Sequence, residues 1–199
     1  MKVIFAFALL CAGLNTLAQV DLDPPKGDRY KMSQTCVDLL QQQVNMELHA
    51  SLVYLNMAAH FDNTDIARKG FTKFFKHSSD EEKQHAQKLI DYINRRGGKL
   101  RLWNVEMPNK DTWTDALSAL RDALDLETRV TNELHVIHHK AETICRDPHL
   151  MDFLETEFLQ EQIDSISELR RLITTLSQMN SGMGEYFVDR QLLDKKDEL

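Results

Sequence analysis

Two residues three positions apart, Glu82 and His85, form a Glu-x-x-His pair within Ser79-Asp80-Glu81-Glu82-Lys83-Gln84-His85. On a helix this spacing places a carboxylate and an imidazole on one face. Oxygen and nitrogen donors together suit a transition metal such as iron better than either does alone. Such a pair by itself also fits a solvated ion pair, so other helices must supply company. Glu47 sits among Val44, Leu48 and Leu52, with Tyr54 two turns further along. Glu127 follows Leu120, Leu124 and Leu126, and Gln162 lies between Leu159 and Ile163. A carboxylate beside an apolar stripe needs a partner. One polar group near the middle of each of four helices points to a shared site inside a bundle.

The elements that would carry these residues follow from apolar spacing. Val37, Leu40, Val44, Leu48, Leu52 and Leu55 mark a first helix from Ser33 to about Phe61. A second runs from about Ala67 to Arg96 and stops at Gly97-Gly98. Residues 97–112 form a connection long enough to travel the length of a bundle, which makes the second and third helices parallel. Asp111 or Thr112 is the expected cap of a third helix reaching about Cys145. Asp147-Pro148 supplies an N-cap and first-turn proline for a fourth, over about 148–179. Ser181-Gly182 precedes a short amphipathic helix, about 182–193. The predicted fold is all-α: an up-down-down-up four-helix bundle with a long crossover loop and a short fifth helix.

The whole chain has 199 residues, 28% of them charged and only seven glycines and four prolines. So few breakers leave room for long helices. A formal net charge of -7 and no basic stripe exclude a nucleic-acid partner. Lys2, the apolar run Val3 to Leu14, and small residues ending at Ala18 have the layout of a signal peptide over residues 1–18. The apolar run is too short to be a membrane anchor. At the other end Lys196-Asp197-Glu198-Leu199 matches the endoplasmic-reticulum retention signal. Both features predict a secretory-pathway protein, secreted or retained, with residues 19–199 as one domain.

The motifs in order carry a resemblance. Asn45 to Ser51, Asp80 to Leu89, Arg96-Gly97-Gly98, Asp147-Pro148-His149-Leu150 and Leu159-Gln160-Glu161-Gln162 are similar to those of the ferritins, of the heavy-chain, iron-oxidising type. The similarity runs from about Thr35 to Asp189. It implies a ferroxidase that binds two Fe²⁺, oxidises them with O₂ and sequesters Fe³⁺ in a hollow octahedral shell of twenty-four subunits, with or without other ferritin chains. By the same resemblance Glu47, Glu82 and His85 hold the first iron, and Glu82 bridges to a second held by Glu127, with Gln162 and Tyr54 close by. Glu81 and Glu161 match accessory carboxylates, and Asp152 and Glu155 match the carboxylates of a three-fold pore through which iron enters.

The chain also departs from that pattern. Permanent di-iron bundles supply Glu-x-x-His twice, but the fourth helix reads Glu161-Gln162-Ile163-Asp164. Weak ligation of the second iron then makes iron a passing substrate. Gln84 and Gln87 stand where oxidising ferritins have cavity-lining acids, and Phe187 and Gln191 replace a common leucine and histidine in the fifth helix. These leave an alternative: a carrier or structural shell subunit that needs a partner chain for efficient mineralisation. His135, His138, His139 and Glu142 share a helical face, which reads chiefly as a solvated polar stripe. Cys36 and Cys145 fall at the same end of the predicted bundle and either pair, within or between subunits, or stay free.

Overall fold

The computed structural model describes residues 27–101, 104–179 and 181–195, so residues 1–18 and the terminal Lys196 to Leu199 lie outside it. Helix α1 spans Gln34–Asp62, α2 Lys69–Arg95 and α3 Ala116–Lys140, which a π-helical turn, Ala141–Cys145, extends. Helix α4 is continuous through Pro148–Leu154, a π-helical stretch Glu155–Leu159 and Gln160–Ser177. Helix α5 spans Ser181–Asp194. There is no strand among the described residues.

Helix ends follow from local chemistry. Ser33 caps α1 by accepting from the Cys36 N–H. At the end of α2 Gly97 takes a left-handed φ of +70°, and the Gly97 and Gly98 N–H groups donate to Asn94 and Ile93 oxygens. That is the paired-bond helix stop in which glycine avoids the Cβ penalty. The start of α3 differs from the expected Asp111 or Thr112. Asp115 caps it instead, accepting from the Ser118 N–H at 2.7 Å while Ser118 reaches back to the Asp115 backbone. The preceding residues are held by tertiary contacts: Trp113 is buried, and its indole N–H donates to Asp122, which Lys110 also reaches.

The contacts at the two ends set the topology. Arg96, after α2, donates to Asp147 at the head of α4 (2.7 Å), to the Tyr92 hydroxyl and to the Tyr30 carbonyl ahead of α1. Cys36 near the start of α1 is disulfide-bonded to Cys145 at the end of α3, with Cα atoms 6.3 Å apart. Thus α1 and α4 begin where α2 and α3 finish, which is the up-down-down-up order, and residues 96–115 make the long crossover. The π-helical turn that ends at Cys145 fits this geometry. A π turn absorbs one added residue, and Arg146 at φ +49° then returns the chain to α4.

Helix α5 seals the opposite end. Asp189 is buried and accepts from the Gly70 and Phe71 N–H groups at the N-terminus of α2. One turn earlier, Glu185 accepts from Arg68 and from the Ala116 N–H at the head of α3. Two carboxylates therefore dock α5 onto two positive helix ends. Gly70 is required here, because a Cβ would lie 1.8 Å from the Asp189 carbonyl oxygen.

The bundle interior has two apolar clusters. One contains Val37, Leu40, Val44, Leu89, Ile93, Leu134 and Phe158, towards the disulfide. The other contains Met57, Phe61, Phe71, Phe75, Leu120 and Leu169, towards α5. Between them along each helix lie the buried polar residues Gln43, Glu47, Glu82, His85, Glu127 and Gln162. A polar layer enclosed by two oily ones is costly unless it is satisfied.

Candidate metal centre

Each bundle helix delivers one part of this layer. On α1, Glu47 is fully buried. Gln43, one turn earlier and also at 0% exposure, donates its amide N–H to Glu47 Oε1 at 2.7 Å. Glu47 Oε2 has no hydrogen-bond partner. On α2, the three-residue spacing brings His85 Nδ1 to 3.6 Å from Glu82 Oε2, beyond hydrogen-bonding distance, and both atoms are buried and unpartnered. On α3, Glu127 accepts from the Tyr54 hydroxyl of α1 at one oxygen and from the Gln162 amide of α4 (3.1 Å) at the other. Glu161, beside Gln162, places Oε2 3.6 Å from the second ring nitrogen of His85. Such a carboxylate behind the imidazole can orient it towards a metal.

The donor atoms of Glu47, Glu82 and His85 lie within 4.8 Å of one another. Native interiors leave few buried polar atoms unpaired, and here each of these three residues has one. A cation would satisfy all three, and a set of two carboxylates and an imidazole fits Fe²⁺. The electrostatics agree. Burial, then repulsion from Glu82, pushes the Glu47 carboxyl well above its usual range. Burial, then the charge of Glu127, does the same to Glu82, with Glu161 adding to it. Burial raises Glu161 to about 7, and burial with Glu127 raises Tyr54. Burial is the first cause of every one of these shifts, and the neighbouring carboxylates add to it.

The structure brings together Glu47, Tyr54, Glu82, His85, Glu127, Gln162 and Glu161. Glu81 is half-buried, pairs with His77 at 3.3 Å and lines a cleft together with Glu161. Asp152 and Glu155 are exposed on α4, away from the layer, and Glu155 meets His138 at 2.6 Å. The histidine face does not converge, since His138 turns to Glu155 while His139 faces Glu142. Gln84 and Gln87 are exposed on α2. Sequence reasoning missed two residues that hold the centre, Gln43 and Thr131. Thr131 donates its hydroxyl to Gln162 Oε1 at 2.5 Å. Both lie four residues from a buried glutamate, at Glu47 and Glu127. That i±4 relation was the available signal.

A four-helix bundle with carboxylates, one imidazole and an amide converging between its helices defines the ferritin-like class of metal-binding bundles. The family model described as the ferritin-like domain matches residues 37–179. The chain is also 46% identical over 154 residues to the soma ferritin of Lymnaea stagnalis, covering 77% of this chain and 88% of that protein. The chain belongs to the ferritin family. Membership supports iron storage as its function, and the multi-subunit shell as the family's form of assembly. No helix among the described residues is long and apolar enough to cross a membrane.

Proposed function

We propose that this ferritin is a ferroxidase of the secretory pathway: it binds two Fe²⁺ in the bundle, passes their electrons to O₂ and releases Fe³⁺ for storage in a shell of twenty-four subunits. The observation that carries the reading is that Glu47, Glu82 and His85 bring donor atoms within 4.8 Å of one another, and each has a buried atom without a partner. They receive the first ferrous ion. Glu82 shares a second with Glu127, beside Gln162 and Tyr54. Each ferrous ion gives up one electron and O₂ takes both. Because Glu47 and Glu82 hold protons more firmly than usual, binding displaces protons from the centre.

Iron is a substrate here rather than a resident cofactor. The fourth helix offers Gln162 and Glu161 where a second Glu-x-x-His would hold metal permanently. Asp152 and Glu155 are the proposed access carboxylates, and the neighbouring His138 adds an imidazole to that surface. The secretory route rests on residues 1–18 and Lys196 to Leu199.

Stopped-flow oxidation of Fe²⁺ by the purified chain alone tests the reading. Glu47→Ala and His85→Ala are expected to abolish the rapid phase while circular dichroism and native size stay unchanged. Rapid oxidation undiminished in both variants would reject the site. A chain that assembles and binds Fe²⁺ but oxidises it only when mixed with another ferritin chain would instead establish the carrier or shell-subunit alternative.

A further inference from the structure

The amide of Gln43 is kept at a cost. Gln43 lies one turn before Glu47 on α1, and both residues are at 0% exposure. Its NH₂ donates to Glu47 Oε1 at 2.7 Å, while its own carbonyl oxygen is buried and has no partner among the protein's groups. Buried polar atoms left unpaired are unfavourable. A methionine or leucine would fill much the same space without burying that oxygen. What the amide adds over an apolar side chain is the bond to Glu47.

Glu47 Oε2 is the oxygen that Gln43 leaves without a partner. A carboxylate on a metal carries no proton, so both of its oxygens can only accept. With Oε2 on the ion, Oε1 still needs a donor, and the buried amide must then turn its NH₂ to it. We propose that Gln43 is the positioning residue of the first metal position: its NH₂ holds Glu47 Oε1 and so presents Oε2 to the ion. This rests on the first metal position proposed above and makes no use of the second. Removing such an outer partner of a ligand typically costs about 10–100-fold in metal affinity.

The test is Gln43→Met, with Gln43→Leu beside it, in the metal-free assembled protein. Without metal the two effects of the change offset: Glu47 Oε1 loses its donor, but the unpaired carbonyl oxygen is removed as well. The melting temperature should therefore stay within about 4 °C of the parent's. Titration with Co²⁺, followed by calorimetry and by visible absorption, should show the tightest step weakened by about tenfold or more. The proposal requires both results together. A side chain that serves packing alone would lower the melting temperature and leave Co²⁺ affinity unchanged, which overturns it. An unchanged or tightened first step overturns it at any melting temperature, and so does a weakened step that comes with a larger fall in melting temperature. Failure of both variants to assemble assigns the amide to the fold and overturns it too. In each of those cases Co²⁺ uptake by the parent would leave the metal centre standing. A parent protein that takes up no Co²⁺ overturns the centre, and the role of Gln43 with it.

Discussion

The clearest physical test of the polar layer is Glu47→Gln in metal-free protein. Glu47 is fully buried, one oxygen is held by Gln43, and the other has no partner. Burial first, then Glu82, favours its neutral form. Glutamine keeps the shape and removes the charge. Leaving a buried polar atom unsatisfied costs about 1–3 kcal/mol, more for a full charge. The protein limits this cost by retaining a proton, so we expect the variant to gain about 1–3 kcal/mol at pH 8. For a chain of this size that raises the melting temperature by roughly 2–12 °C, at about 2–4 °C per kcal/mol. The pH dependence has a definite sign. A carboxyl whose folded pKa is raised binds protons that the unfolded chain has released. Its contribution is complete below the ordinary carboxylate range and is lost as pH rises through the folded value. The advantage of the variant should therefore shrink between pH 8 and pH 5. Zn²⁺ should reverse the order: at about 100 times its Kd a bound ion stabilises the parent by about 2.7 kcal/mol, and the variant by less. Scanning calorimetry with and without Zn²⁺ at both pH values provides the measurement. A metal-free variant less stable than its parent at pH 8, or an advantage equal at both pH values, would refute the argument.

Reduction of the Cys36–Cys145 bond, which spans 109 residues, should lower unfolding stability by about 2–5 kcal/mol, since long closed loops restrict the unfolded chain most. Urea melts with and without reductant measure the loss; matching midpoints, with both thiols alkylatable in unreduced denatured protein, would show that no bond forms. Gly70→Ala places a methyl group against the Asp189 carbonyl and should undock α5. We expect a loss of about 1–3 kcal/mol and early proteolysis within Ser181–Asp194, and a protease pattern identical to the parent's would contradict the docking scheme.

Much of the bundle was legible because helical periodicity is local. The stripe from Val37 to Leu52 sits on α1 as expected, the Gly97-Gly98 stop ends α2, and Asp147-Pro148 opens α4. The start of α3 was misplaced for a physical reason. Asp111, Thr112 and Asp115 all have capping chemistry, and the choice among them depends on burying Trp113 and satisfying Asp122. Leu55 and Ile163 look like core residues in a local pattern but are more than half exposed, since a bundle helix buries only one face. Conversely, Asp189 looks like a surface acid until the N-terminus of α2 meets it.

By itself the sequence determined the ingredients: four amphipathic helices, their caps, and a metal-ligating residue type on each. These are consequences of spacing along one chain, where neighbours three or four apart share a face whatever the rest of the molecule does. Tertiary structure alone decided how the ingredients are shared. It left Glu47, Glu82 and His85 with atoms that lack partners, while Glu127 was fully engaged by Tyr54 and Gln162. Hydrogen bonds in a buried layer are allocated among groups from different helices, and no spacing within one helix encodes that allocation. The different engagement of Glu47 and Glu127 is therefore a property of the packed bundle.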